Sequence, residues 1–151
     1  MFDLTGKTAL ITGASGGIGG AVATALHGAG ATVTLSGTRE APLHELADTL
    51  GERAHVVTAN LGDAAEVEAL PKQAAEAMGS VDILVNNAGI TRDNLLFKMT
   101  EDDWDLVMGV HLKGEFLMTK AAQKHFVEQK YGKVVNISST SALGNRGQTN
   151  Y

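Results

Sequence analysis

Short runs of β-branched and other apolar residues alternate along this chain with longer stretches of helical periodicity, and that alternation constrains the fold most. The apolar runs cover residues 8–12, 32–36, 55–59, 82–86 and 133–137. Each run is bounded by Gly, Asn or Ser, which predicts short strands that are buried on both faces. A strand-helix-strand order repeated in this way predicts an α/β fold in which helices cover both faces of a parallel sheet.

The segments between these runs carry the helical signal. Their apolar residues recur every three or four positions, namely Ile18, Val22, Ala25, Leu26 and Ala29; Leu43, Leu46, Ala47 and Leu50; Val67, Leu70, Ala74 and Met78. Asp63 and Glu66 predict a capping box at the start of the third helix, whereas Pro71 inside that helix predicts a kink or a break. A longer helical stretch from about 100 to 129 is expected to bend near Gly114. We expect residues 1–151 to form one domain.

Composition narrows the possible functions. The net charge of −5 argues against a nucleic-acid or anionic-membrane surface, because both require clustered Lys and Arg. The absence of cysteine excludes disulfides, thiolate catalysis and Cys-based zinc sites, and indicates a reducing cytosol. No apolar run approaches the roughly 20 residues of a membrane helix, and no metal-ligand pattern is visible. We therefore expect a cytoplasmic protein with no metal, nucleic-acid or membrane partner.

A glycine-rich segment, TGASGGIGG at 12–20, lies where the first predicted strand gives way to the first helix. Glycine there lets the backbone approach a pyrophosphate, and the free N–H groups of a helix N-terminus favour an anion. The alternative is a tight strand-to-helix turn that binds nothing. No Gly-Lys-Ser/Thr follows, so the segment is not a P-loop.

Three further motifs accompany the glycine segment. NNAG at 86–89 follows the fourth strand, NISS at 136–139 follows the fifth, and Tyr151 comes about a dozen residues later. This ordered set resembles the short-chain dehydrogenase/reductase family over the whole chain. Within the family, NNAGITRDNLLFKM and GNRGQTNY are most similar to the 3-oxoacyl-(acyl-carrier-protein) reductases of fatty-acid synthesis. The resemblance implies a Rossmann-type, doubly wound sheet of order 3-2-1-4-5 and NADPH-dependent reduction of a 3-oxoacyl thioester to the 3-hydroxyacyl thioester.

The resemblance also implies roles for single residues. Cofactor contacts would come from Gly13, Ser15, Gly17, Ile18 and Gly19 at the pyrophosphate and its ribose, Asn60 and Leu61 at the adenine, and Asn86, Asn87, Ala88 and Gly89 beside the sheet. Tyr151 would give a proton to the substrate carbonyl, and a serine after the fifth strand would hydrogen-bond that carbonyl. The chemistry agrees, because hydride addition to a ketone builds negative charge that needs a donor and an acid.

The identity of that serine stays open between two positions. Alignment from the strand indicates Ser139, whereas counting back from Tyr151 indicates Ser138. We favour Ser139, because a strand fixes register more firmly than a loop fixes length. Ser141 is a third candidate, with loop capping as its alternative role.

The end of the second strand, LSGTRE, bears on the choice of cofactor. A site for NAD usually has an acidic residue there, whereas Thr38 and Arg39 would accept a 2′-phosphate, so NADP(H) is favoured. The alternative for Arg39 is a solvated residue at a helix start. His111 stands where the family commonly has Asn. We keep His111 as a catalytic candidate, although we expect a structural role.

The family's catalytic Lys lies four residues past the Tyr, before a helix, two strands and a substrate-covering loop. We therefore expect these 151 residues to be the amino-terminal part of a longer enzyme, to bind cofactor without turnover, and to hold Tyr151 poorly. Expected partners are an acyl carrier protein, docking near Lys130 with Lys124 and Lys133 close by, and further copies of the chain, a tetramer in the complete family enzyme. The alternatives are a dinucleotide-binding or assembly module, or a reductase of an acyl-CoA or another carbonyl substrate.

Overall fold

Parallel strands and α-helices alternate through residues 2–151, which a computed structural model describes. The strands are β1 (Thr8–Ile11), β2 (Thr32–Gly37), β3 (Ala54–Thr58), β4 (Ile83–Asn86) and β5 (Lys133–Asn136). The α-helices are α1 (Gly17–Gly28), α2 (Glu40–Leu50), α3 (Ala64–Met78), α4 (Glu101–Met108) and α5 (Gly114–Glu128). The strands form one parallel sheet in the order β3-β2-β1-β4-β5, which confirms the predicted doubly wound fold.

Strand β1 shows why the sheet must be covered on both faces. Successive side chains of a strand point to opposite faces, and every residue of β1 is buried. Ala9 and Ile11 belong to a cluster that includes Ala23 of α1 and Leu43 of α2. Leu10 belongs to a second cluster, with Leu70 of α3 and Met118 of α5 among its members. A continuous apolar run therefore requires helices on the two sides of the sheet.

Strand β5 departs from the prediction that all strands are buried on both faces. All four of its residues are exposed, including Val134 at 39% and Val135 at 45%. The reason is position, because β5 pairs only with β4 and lies at an edge of the sheet. Strand β3, at the opposite edge, is only partly buried. An apolar run predicts a strand, but it does not distinguish a central strand from an edge strand.

Helix α3 begins as predicted and continues through its proline. Asp63 accepts hydrogen bonds from the amides of Ala65 (2.8 Å) and Glu66 (3.3 Å). The Glu66 carboxylate accepts from the Asn60 amide at 2.8 Å, so it reaches into the preceding loop and does not complete the capping box. Of the kink or break predicted at Pro71, the break is wrong, since Pro71 lies buried within one continuous helix, and the kink stays a prediction. Burial of this face against the sheet offsets the backbone hydrogen bond that a proline removes.

The long helical stretch is interrupted as expected. A π-helical turn, Gly109–Lys113, separates α4 from α5 and ends just before Gly114. Such turns insert an extra residue and are frequent at functional sites. This one carries His111. No helix within residues 2–151 is long and apolar enough to cross a membrane.

Candidate active site

A cleft of about 740 Å³ lies where the five strands meet the segments that follow them. In a parallel sheet the carboxyl ends of the strands meet at one edge, and ligands bind there. The cleft is lined by every candidate residue named from the sequence as catalytic or cofactor-binding except Asn86 and Ser141. These are Gly13, Ser15, Gly17, Ile18, Gly19, Thr38, Arg39, Asn60, Leu61, Asn87, Ala88, Gly89, His111, Ser138, Ser139 and Tyr151.

Asn86 lies beneath the cleft. Its side chain is buried, and its amide nitrogen donates to Asn136 Oδ1 at 2.9 Å and to Thr119 Oγ1 at 3.2 Å. These bonds join the ends of β4 and β5 to α5. Asn86 therefore supports the floor of the cleft instead of facing a ligand.

The glycines of this segment do not all serve the same purpose. At some positions a side chain would collide with the backbone, and at others there is open space. Gly13 has φ +65°, and a Cβ there would lie 2.7 Å from Ala88 Cα. A Cβ on Gly19 would collide with Gly13 O. A Cβ on Gly17, in contrast, would meet nothing within 4 Å. Gly13 and Gly19 are needed for backbone packing, whereas the space beside Gly17 is open for a ligand.

Thr12 joins the ends of β1 and β4 above the sheet. Its hydroxyl donates to Val85 O at 3.2 Å and accepts from the amides of Asn87 and Ala88, both at 3.0 Å. The Asn87 side chain returns a bond to Thr12 O at 2.9 Å. Sequence reasoning missed this residue as a functional position, although the glycine motif begins with it.

Arg39 is exposed to solvent, and its guanidinium is hydrogen-bonded to the glycine segment. Its Nη2 donates to Ser15 O at 2.7 Å and lies 3.5 Å from Ser15 Oγ. A Cβ on Gly37 would stand 3.1 Å from that same hydroxyl, so the end of β2 packs closely against the glycine segment. The arrangement holds a positive charge at the wall of the cleft, where the sequence predicted a phosphate-binding group.

The loop after β3 forms the opposite wall. Asn60 Oδ1 accepts from the Gly62 amide at 2.9 Å, which fixes the turn that carries Leu61 into the cleft. Leu61 lies 3.8 Å from the position of a Cβ on Gly114, so α5 begins beside it. Glu115 lines this wall too and was missed by sequence reasoning. Burial raises the pKa of the Glu115 carboxyl, and the charge of His111 opposes that shift.

The three serines after β5 occupy different environments. Ser139 Oγ accepts from the Ser141 amide at 3.1 Å and caps a short 3₁₀ turn, Thr140–Leu143. The Ser138 hydroxyl makes no hydrogen bond within residues 2–151, and both Ser138 and Ser139 line the cleft. Ser141 donates to Gln148 at 2.6 Å, a loop-stabilising bond. Ser138 and Ser139 therefore both stay candidates for the substrate-binding hydroxyl.

Tyr151 is held at the mouth of the cleft, so the expectation that it is poorly held is wrong. Its hydroxyl donates to Ile90 O at 3.2 Å. Its ring meets the His111 ring edge-on, with centroids 5.7 Å apart. Burial, with a smaller contribution from the Asp93 carboxylate, raises the pKa of the Tyr151 phenol above its ordinary value.

His111 serves the structure of this corner. Its Nε2 lies 3.0 Å from Ile90 N and 2.8 Å from Ile90 O, which ties the π-helical turn to the loop after β4. A side chain at Gly89 would collide with the His111 ring. These contacts support the expected structural role. Within residues 2–151, no group of three His, Asp or Glu side chains is placed to hold a metal ion.

Comparison with known proteins places this arrangement in a family. Residues 7–151 match the family model described as short chain dehydrogenase. The chain is 47% identical to Nodulation protein G of Rhizobium meliloti (strain 1021), and the match covers 100% of this chain and 62% of that protein. It is 44% identical to the 3-oxoacyl-[acyl-carrier-protein] reductase FabG of Rickettsia conorii, covering 100% of this chain and 61% of the reductase.

A solved structure agrees with both matches. A crystal structure from Sinorhizobium meliloti 1021, of a protein classed as a short-chain alcohol dehydrogenase, superposes with a TM-score of 0.93 at 37% identity. That match covers 99% of this chain and 61% of the other. This chain therefore belongs to the short-chain dehydrogenase family of oxidoreductases, and it spans about three-fifths of the length of these relatives.

The glycine packing yields a first testable result. Gly19→Ala should lower the free energy of unfolding by about 1–3 kcal/mol, because the new methyl group meets rigid backbone. Gly17→Ala is the matched control, and it should be neutral or stabilise by up to about 1 kcal/mol, since its methyl group meets open space at the start of α1. Urea denaturation followed by circular dichroism measures both. Equal stability of the two variants would show that the close approach at Gly19 is not a constraint.

Proposed function

We propose that this chain is the cofactor-binding part of an NADPH-dependent reductase of 3-oxoacyl thioesters in fatty-acid synthesis, with the acyl group carried on acyl carrier protein. The observation that supports this proposal is one cleft that contains the glycine segment, the Asn87–Ala88–Gly89 loop, two serines and Tyr151. A curated relative at 44% identity is a 3-oxoacyl-[acyl-carrier-protein] reductase. The name of the relative at 47% identity, Nodulation protein G, states no substrate.

The residues present fit a nicotinamide dinucleotide. Helix α1 begins after Gly16, which offers no side chain to cap it, so the first-turn N–H groups remain available to a pyrophosphate. Gly17, Ile18 and Gly19 in that turn line the cleft. When bound, the cofactor supplies the hydride.

The chain's own contribution to the reaction is to stabilise and neutralise charge on the carbonyl oxygen. The Tyr151 phenol is protonated at neutral pH, as any phenol is, and burial raises its pKa further, so the phenolate left after proton transfer needs stabilisation. Ser138 or Ser139 supplies a second hydroxyl, which donates a hydrogen bond to the same oxygen. The lysine that the family places after its Tyr would stabilise the phenolate left when Tyr151 gives up its proton.

The charge distribution at the end of β2 supports NADP(H) over NAD(H). No carboxylate follows Ser36 and Gly37 directly, and Arg39 is held beside Ser15 at the cleft wall. The carboxylate nearest in sequence, Glu40, lies 3.5 Å from His44 on the exposed surface of α2. A 2′-phosphate would therefore meet the guanidinium before it met a carboxylate.

Partners and compartment are part of the same proposal. Lys130 and Lys133 are exposed at the α5–β5 connection and would attract an acidic carrier protein, whereas Lys124 already pairs with Glu68 at 3.0 Å. Exposed apolar side chains on the α4–α5 stretch, namely Trp104, Leu106, Leu112 and Phe116, support assembly with further copies. The cytosolic compartment expected from the cysteine-free sequence stays a prediction.

The cofactor preference can be tested by reversing one charge. Arg39→Glu should weaken NADPH binding by about 1–3 kcal/mol more than NADH binding, because a carboxylate would face the 2′-phosphate. Lys72→Glu on the outer surface of α3 is the charge-matched control and should change neither affinity. Isothermal titration of each variant with both nucleotides measures the difference. The same loss for NADPH and NADH would contradict a phosphate-binding role for Arg39.

Turnover is tested by extending the chain. A version continued with the corresponding carboxyl-terminal part of a curated relative, including the lysine four residues past Tyr151, should oxidise NADPH with a 3-oxoacyl thioester. The 151-residue chain should bind NADPH yet turn over at least about 10²-fold more slowly, because general acid catalysis is impaired. Tyr151→Phe in the longer protein is the control. It should abolish the difference in turnover rate between the longer protein and the 151-residue chain. If the turnover rate of the 151-residue chain came within about tenfold of that of the longer protein, the requirement for that lysine would be contradicted.

Assays with the carrier-bound thioester and with the coenzyme A thioester distinguish the remaining alternatives for the substrate. Higher kcat/KM on the carrier-bound thioester would support the acyl-carrier-protein assignment, and a preference for the coenzyme A form would contradict it. Tight NADPH binding without reduction of either thioester by the longer protein would instead support a dinucleotide-binding module.

A further inference from the structure

The segment that carries Tyr151 lies along the loop that follows β4. Gln148 pairs with Asn94 in a parallel bridge, and the Asn94 amide donates to Gly147 O at 2.8 Å. The Asn150 side chain donates to Arg92 O at 3.1 Å, and the Tyr151 hydroxyl reaches Ile90 O at 3.2 Å. These contacts run in order along the two segments. Residues 147–151 are therefore docked on residues 90–94 by a row of hydrogen bonds.

One carboxylate takes part in this row, between the Asn94–Gly147 and Arg92–Asn150 contacts. Asp93 Oδ2 accepts from Gln148 Nε2 at 2.9 Å. The other end of the same amide, Gln148 Oε1, accepts from Ser141 at 2.6 Å and from Asn145 at 2.7 Å. Gln148 thus joins the loop after β4 to the loop after β5. Asp93 contributes a charged acceptor to this row, and a hydrogen bond to an ionised group is stronger than the same bond to a neutral one, although this contact is exposed to solvent.

We propose that Asp93 is a positioning residue for Tyr151: through Gln148 it docks the 147–151 segment on the loop after β4 and so sets where the phenol stands in the cleft. The catalytic part of this inference rests on the proposed role of Tyr151 as proton donor. The hydrogen bonds named for the docking all join residues of this chain. No feature of the sequence motifs assigned a function to Asp93 or Gln148.

The surroundings of Tyr151 support this assignment. Its neighbours at the cleft are the His111 ring, the Thr91 side chain, which lowers the pKa of the phenol, the backbone of the 90–92 segment and the Asp93 carboxylate. Glu115 of α5 lies near His111. After burial, the Asp93 charge is the largest influence that raises the pKa of the phenol. The effect of the Asp93 charge on the pKa of Tyr151 depends on the distance between the two groups. The ionisation of Tyr151 can therefore be used as a spectroscopic probe of the docked geometry.

The first measurement is the exchange rate of the Asn94 amide hydrogen, followed by NMR and corrected for the intrinsic rate of each sequence. Asp93→Ala should raise that rate at least about fivefold, because the pairing with Gly147 loses its anchor. Gln148→Ala should produce the same increase, and the double variant should add nothing further. Asp93→Asn keeps an oxygen that accepts from Gln148, so protection should return to within about twofold of the parent.

The second measurement is the ultraviolet titration of Tyr151 in a Tyr131→Phe background, where Tyr151 is the single remaining tyrosine. Both Asp93→Ala and Asp93→Asn should lower the midpoint pH, since each removes the negative charge beside the phenol. Asp48→Asn, an equal charge change on the distant helix α2, is the control and should leave both measurements unchanged.

The inference is overturned if Asp93→Ala leaves either the Asn94 exchange rate or the Tyr151 midpoint at its parent value. It is overturned as well if Asp93→Asn fails to restore amide protection. Neither measurement uses a nucleotide or a thioester. Failure of the proposed reductase activity would therefore leave these results standing, and failure here would leave the cofactor assignment untouched.

Discussion

The parallel pairing of β1 between β2 and β4 is the constraint on which the rest of the structure depends. It brings the glycine segment, the end of β2 and the Asn87–Gly89 loop to one edge of the sheet, although they are far apart in sequence. The Thr12 hydroxyl then binds the ends of β1 and β4 together through the amides of Asn87 and Ala88. Close contact at that junction is possible only because Gly13 and Gly19 lack side chains.

Much of this arrangement was predictable from the sequence because it depends on local chemistry. Apolar runs between turn residues predicted each strand to within about a residue at its ends, strand-helix alternation predicted a parallel sheet, and the family resemblance implied its strand order. Glycine at a strand-to-helix turn indicated the cleft. The exposure of β5 follows from the predicted order 3-2-1-4-5, which places this strand at an edge, whereas the apolar residues Val134 and Val135 alone do not distinguish an edge strand from a central one. Continuity of α3 through Pro71 depended on burial, which periodicity alone does not reveal.

The docking of Tyr151 was missed for a related reason. Its contacts are made by loop residues, Asp93 and Gln148 among them, whose side chains carry no periodic or motif signal. Sequence reasoning treated Tyr151 as an end of chain, whereas the structure holds it through Ile90 and His111. The choice between Ser138 and Ser139 depends equally on loop geometry, and both residues line the cleft.

We propose that the cleft at the carboxyl edge of the sheet binds NADP(H). The most direct measurement is an NMR titration of the isotope-labelled chain with NADPH, which reports each backbone amide separately. The account predicts saturable shifts at Gly13, Gly17, Arg39 and Ala88, with none at Gly79 or Lys130, which lie at turns leading into β4 and β5. Shifts confined to those turns, or no saturable shift at the cleft, would contradict it.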